Sequence, residues 1–264
     1  MSTDPAEAQR RPDQPDTSGE EIPRADALRG LAVILSPSLI LDLFAAAGTV
    51  AVVSGWVFRT QKGFARLLRP LLVLGAVLPW AYAFVIRPWH LRWGATDEEL
   101  TKRLPGDELV PDPAFESTRA ITINAPVEGV WPWLAQIGQD RGGFYSYEWL
   151  ENISGARIRS ADRIHLEWQH REVGDVVRIH PVIGPKVEAF EPGRAIVLEK
   201  WGAYVVEPAG EKSTRLIARS RAPRGSGGMF YHPLLGEFPH FVMERKMLKG
   251  IKERAERENA RQES

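Results

Sequence analysis

Residues 118–137 read TRAITINAPVEGVWPWLAQI, and this stretch decides the fold class. Its first seven residues alternate, with Ile121 and Ile123 on one face, as a half-buried strand does. Pro126 then stands at a helix start, where a missing N–H is harmless. Val127, Val130, Trp131, Leu134 and Ile137 follow at steps of three and four, the stripe of an amphipathic helix. A strand thus runs into a helix with no glycine-rich phosphate loop between them.

Working outward toward the C-terminus, Gly142 and Gly143 close this helical region, and Ser146 caps a short second helix bearing Trp149, Leu150 and Ile153. Five strand candidates come next, at 175–182, 186–191, 195–201, 203–207 and 213–221. Their breaks, Gly184-Pro185, Pro192-Gly193, Gly202 and Pro208-Ala209-Gly210, are too short for crossover connections. Such spacing predicts an antiparallel meander. Beyond the glycines of 225–228, residues 233–259 read as one long last helix. The class is α+β.

Toward the N-terminus, Thr96 with Glu99 three residues on forms a capping box opening a short helix through Leu104. Pro105, Gly106, Pro111 and Pro113 then impose an irregular stretch, so 94–116 reads as a linker to a domain over 117–264. Before it, residues 30–58 contain one charge, Asp42, and 71–86 contain none. Basic residues flank both runs, and Trp80, Tyr82, Phe84, Trp89 and Trp93 gather at the end of the second. This pattern predicts a membrane hairpin over 25–93, with helices at 37–58 and 69–89 and aromatics at the interface, so the chain is expected in the cell membrane. Two buried core helices are the plain alternative. Arg59, Lys62, Arg66 and Arg69 in the loop balance Arg24, Arg29, Arg87 and Arg92 outside it, so the positive-inside rule assigns no side. Residues 1–24 are polar and mildly acidic, as a disordered tail is.

Composition excludes several chemistries. The chain of 264 residues carries 34 Lys and Arg against 34 Asp and Glu, with no basic surplus for a nucleic-acid partner. There is no cysteine, which excludes disulfides, thiolate nucleophiles and cysteine metal sites. His165, His170 and His180 show no metal spacing, and Gly-x-Ser-x-Gly is absent. Neither a metal nor a cofactor is expected.

The element order, together with Thr122-Ile-Asn-Ala-Pro126 followed by Val130-Trp131, resembles the START-like superfamily, also called SRPBCC. Arg92-Trp-Gly-Ala-Thr-Asp97, Leu104-Pro-Gly-Asp-Glu-Leu-Val110 and Arg141-Gly-Gly-Phe-Tyr-Ser-Tyr-Glu-Trp149 resemble a bacterial branch of it. The resemblance spans about residues 92–259. It implies a helix-grip fold, a curved antiparallel sheet around the last helix, with a hydrophobic cavity between them. It also implies a small apolar molecule or lipid as partner. Cyclase/dehydratase turnover of a polyketide-like substrate in the same cavity is the second reading.

Of the nine tryptophans, five fall in the domain over 117–264. Trp131, Trp149 and Trp201, with Phe144, Tyr145, Tyr147 and Tyr204, either line such a cavity or fill the core. Residues 141–149 combine two glycines with four aromatics and are the candidate gate. On the last helix, 100° steps put Phe241, Met247, Leu248, Ile251 and Ala255 on one arc. Glu244 falls inside that arc and His240 one turn earlier, making Phe241, Glu244 and Leu248 ligand candidates. His240 with Glu244 is a candidate acid–base pair, as is Asp162 with His165; a solvated first turn and a loop ion pair are the alternatives. Arg215, Arg219 and Arg221 share one strand face, expected to meet an anionic headgroup or solvent.

Overall fold

The computed structural model describes residues 80–181, 183–223 and 236–263, with six isolated positions before residue 80. Most of the expected helix at 37–58, most of 69–79 and the start of the last helix at 233–235 lie outside the described residues. Among the described residues no helix is long and apolar enough to cross a membrane.

A π-helical turn, Tyr82–Ile86, continues into α1 (Arg87–Leu91), with Pro88 withholding an N–H from the run. α2 (Asp97–Thr101) opens on the expected capping box. Thr96 Oγ1 accepts from the Glu99 N–H at 3.2 Å, and the Glu99 carboxylate accepts from the Thr96 N–H at 2.8 Å. β1 (Pro113–Ile123) starts five residues before the alternation suggested and leads into α3 (Val127–Ala135). α4 (Glu148–Glu151) is a single turn. Ser146 does not cap it; its hydroxyl donates to the Met243 carbonyl at 2.9 Å. β2 (Val187–Glu191), β3 (Ala195–Leu198), β4 (Gly202–Gly210) and β5 (Ser213–Pro223) form the meander. The last helix, α5, runs Phe238–Gln262.

The sheet order is β1-β5-β4-β3-β2, antiparallel throughout. The strand expected at 175–182 is absent as a strand. It makes isolated bridges only, Val176 to Lys186 and His180 to Ile183. Pro181 and Pro185 lack the donors a ladder needs, and Gly184 bends so tightly that a Cβ would sit 2.8 Å from the Arg178 Cα.

Strand alternation divides the sheet into two faces. Inward, Ile123, Ile196, Leu198, Tyr204, Val206 and Leu216 pack with Trp131, Trp133 and Leu134 of α3 and Met247, Leu248 and Ile251 of α5. Outward, Ala120, Ala195, Val197, Ala203, Val205 and Ile217 pack under Leu104. Residues 94–116, expected as a linker, supply this outer layer and the first residues of β1.

Three arginines of β5 bind the layer down. Arg215 grips Glu99 through two bonds, 2.6 and 2.8 Å. Arg219 donates to Asp107 at 2.7 Å and to the carbonyls of Lys102 and Glu99. Arg221 donates to Glu116 at 2.7 Å and to the carbonyls of Asp107 and Val110. The shared face was legible, but it meets neither a headgroup nor open solvent. A strand pattern does not reveal that a segment more than a hundred residues upstream returns to cover it.

α5 buries the expected arc: Phe241, Glu244, Met247, Leu248, Ile251 and Ala255, and also Gly250. A Cβ at Gly250 would lie 2.7 Å from the Tyr145 Cβ, so glycine there admits the 143–146 loop against the helix. Residues 80–93 dock on the first turns of α5. Arg87 forms a two-bond ion pair with Glu237, at 2.7 and 2.9 Å. Trp89 meets Phe241 edge-on at 5.2 Å, and His90 lies tilted against Phe241 at 5.4 Å and edge-on to Phe238 at 5.8 Å.

Candidate functional site

Between the inner sheet face and the N-terminal half of α5 lies a cavity of about 250 Å³. α5 contributes Pro239, His240, Met243, Glu244 and Met247; the β3–β4 region contributes Leu198, Trp201 and Tyr204. The 137–158 segment adds Ile137, Phe144, Ser146, Glu151 and Ile158, and the irregular stretch before β2 closes the wall with Val177, Ile179 and Pro185. The apolar wall owes its place to local geometry. Trp201 sits in the tight β3–β4 turn, where Lys200 and Gly202 take positive φ, and it meets the His240 ring edge-on at 5.4 Å.

One polar chain crosses the inner end. Trp201 Nε1 donates to Tyr204 Oη, and Tyr204 Oη to Glu244 Oε1, both at 3.4 Å. Glu244 Oε2 accepts from Arg119 Nη1 at 2.6 Å, with both side chains buried. The same Nη1 lies 3.2 Å from His240 Nδ1, and Arg119 Nε donates to the His90 carbonyl at 2.9 Å. An arginine has donors only, so His240 Nδ1 is the acceptor and Nε2 carries the ring proton. Nε2 faces Glu244 Oε1 at 3.6 Å. Burial pushes His240 down to about 4; the Glu244 charge pulls it back up, and Arg119 opposes that pull. His240 is therefore neutral near pH 7. Burial and the Glu244 charge push the Tyr204 phenol upward.

Glu151 is a second carboxylate in the wall. Burial, helped by Glu148, pushes its carboxyl up to about 7. The sequence reading missed this residue, since a glutamate on a four-residue helix gives no periodic signal.

Of the residues the sequence singled out, Phe144, Trp201, Tyr204, His240 and Glu244 line the cavity. Trp131 is buried against Phe190 at 5.3 Å, and Leu248 is core. Phe241 faces Trp89 and His90, with the Arg119 guanidinium 5.3 Å from its ring centre. Tyr145 is a bolt for its loop: its hydroxyl accepts from Gln136 at 2.9 Å, its ring meets Trp133 edge-on, and Arg254 covers its other face. The 143–146 part of the candidate gate is thereby pinned, whereas Tyr147, Trp149 and Ile153 just beyond are exposed, the last two by 68% and 71%. Asp162 and His165 do not meet. His165 pairs with Glu167 at 3.0 Å and stacks on Trp168.

Arg119 was missed, though its signal was present. It shares the parity of Ile121 and Ile123, so a charge was in phase with the buried face of β1. Among the described residues no group of three or more His, Asp or Glu is placed to hold a metal ion. No protein-family model matches the chain, and no curated protein matches it.

Proposed function

We propose that this chain is a membrane-anchored START-like domain that binds an apolar small molecule or lipid in the cavity between its sheet and its last helix. The observation that carries the reading is the cavity itself. Small-molecule sites are concave and mostly apolar, and here a cleft of about 250 Å³ is walled largely by Ile, Leu, Val and Met side chains. That lies just below the roughly 300–1,000 Å³ typical of sites for drug-sized ligands. The sequence of 25–93 supports the anchor, and the docking of residues 80–93 on α5 ties that segment rigidly to a cavity-lining helix. Tethering keeps the cavity close to ligands dissolved in the bilayer and raises their effective concentration. The function is sequestration or transfer, with entry past the exposed 147–153 segment.

Native mass spectrometry of the full chain released from detergent, followed by solvent extraction, tests this. A bound apolar molecule near one per chain, lost when Met243→Trp fills the cavity, is the expected result. A chain without adduct, indistinguishable from its filled variant, overturns the reading. Alkaline extraction of membranes tests the anchor separately; release of the chain into the supernatant overturns that part.

A further inference from the structure

The polar atoms of the cavity wall are unevenly divided. Among the described residues the lining includes two carboxylates, Glu151 and Glu244, and neither Lys nor Arg. Its neutral side-chain donors point at protein acceptors: Ser146 at the Met243 carbonyl, Trp201 at Tyr204, and both Tyr204 and His240 Nε2 at Glu244. Arg119, which neutralises Glu244 from behind, is not part of the lining. Glu244 Oε1 meets Tyr204 at 3.4 Å and His240 at 3.6 Å, both long for partners of a carboxylate oxygen. That oxygen has capacity for one shorter, better-directed donor.

We infer that the cavity takes a small apolar alcohol or amine, whose polar group donates a hydrogen bond to Glu244 Oε1, and rejects carboxylates. This rests on the cavity being a binding site. A ligand hydroxyl or ammonium finds an acceptor in Glu244 Oε1. A ligand carboxylate meets Glu151, ionised at pH 8, and a Glu244 oxygen that only accepts, in a low-dielectric pocket where repulsion is strongest. The apolar body lies along Met243, Met247, Val177, Ile179 and Leu198. A water occupies about 30 Å³ of liquid, so the space holds on the order of ten non-hydrogen atoms.

Equilibrium dialysis separates the possibilities. The full chain in phosphatidylcholine nanodiscs is dialysed against empty nanodiscs at pH 8, with 1-octanol, octylamine or octanoate as probe. The excess in the protein compartment corrects for partition into lipid. Octanol and octylamine are expected to bind at least tenfold tighter than octanoate, and Met243→Trp is expected to abolish the excess. Octanoate binding as tightly as octanol, or tighter, overturns the assignment of ligand class and leaves the cavity as a binding site. No excess for any of the three probes overturns both readings, as does an excess that Met243→Trp leaves intact.

Discussion

The two faces of one sheet carry opposite designs. Outward, small residues pack flat, and three arginines close on carboxylates and carbonyls until the layer is full. At Gly106 even a Cβ would come within 2.6 Å of Val197 Cγ1. Inward, large aromatics and methionines bridge sheet and helix incompletely, and one arginine, Arg119, holds one carboxylate at the end of an open space. Flat packing needs small side chains on both partners. Bulky ones on a strand and a helix leave gaps wherever their shapes do not interlock.

Removing the arginines tests that contrast most severely. Arg119→Ala leaves Glu244 buried beside a neutral His240, and we expect a loss of about 3–5 kcal/mol. Arg219→Ala leaves Asp107 still facing Arg221 at 3.6 Å, and the loss should be nearer 2–3 kcal/mol. Chemical denaturation of the full chain in non-ionic detergent measures both; equal losses would break the distinction between the faces.

The inner face should also carry the pH response. His240 falls from 6.5 to about 4 on folding, so between those values the unfolded chain holds a proton that the folded chain lacks. Stability then falls as pH drops through that window, by up to about 3 kcal/mol near pH 4. Glu151 acts in the opposite sense. Its carboxyl rises from 4.5 to about 7, so the folded chain keeps a proton the unfolded chain releases, and stability falls as pH climbs from 4.5 to 7. Partial exposure reduces that effect to about 1 kcal/mol. Denaturation across pH should show the acid loss flattened in His240→Gln and the loss toward pH 7 removed in Glu151→Gln.

Added volume gives a smaller contrast on neighbouring residues of one strand. Val197→Phe, pointing into the filled outer layer, should cost about 1–3 kcal/mol. Leu198→Phe, pointing at the cavity, should stay within about 1 kcal/mol of the parent. Thermal unfolding of the two variants side by side decides it; a large loss from Leu198→Phe would mean the space is not available. The smallest effect is local. Thr96→Ala removes one arm of the capping box and should cost about 1 kcal/mol wherever the outer layer is intact.

Much of the architecture was legible before folding because it is written in short-range pattern. The alternation at Ile121 and Ile123, the three-and-four stripe from Val127 to Ile137 and the capping box at Thr96 each report a neighbourhood of a few residues. The strand read at 175–182 failed because alternation alone does not provide the donors that Pro181 and Pro185 lack. At the site, the arc of α5 correctly brought His240 and Glu244 to one buried face. The same method could not tell Trp201, which lines the cavity, from Trp131, which fills the core. Both are large aromatics packed against the core, and only the shape of the opposing surface separates them.

The sequence by itself determined the α+β order, the antiparallel meander, the buried face of the last helix and the absence of cysteine chemistry. These follow from periodicity, turn residues and composition, all properties of the linear chain. Tertiary structure alone decided that residues 94–112 cover the outer sheet, that Arg119 answers Glu244 across 125 positions, and that a cavity opens between Trp201 and Met247. Each of these is a pairing between distant segments, and which partner a side chain meets is set by three-dimensional packing that no local pattern encodes.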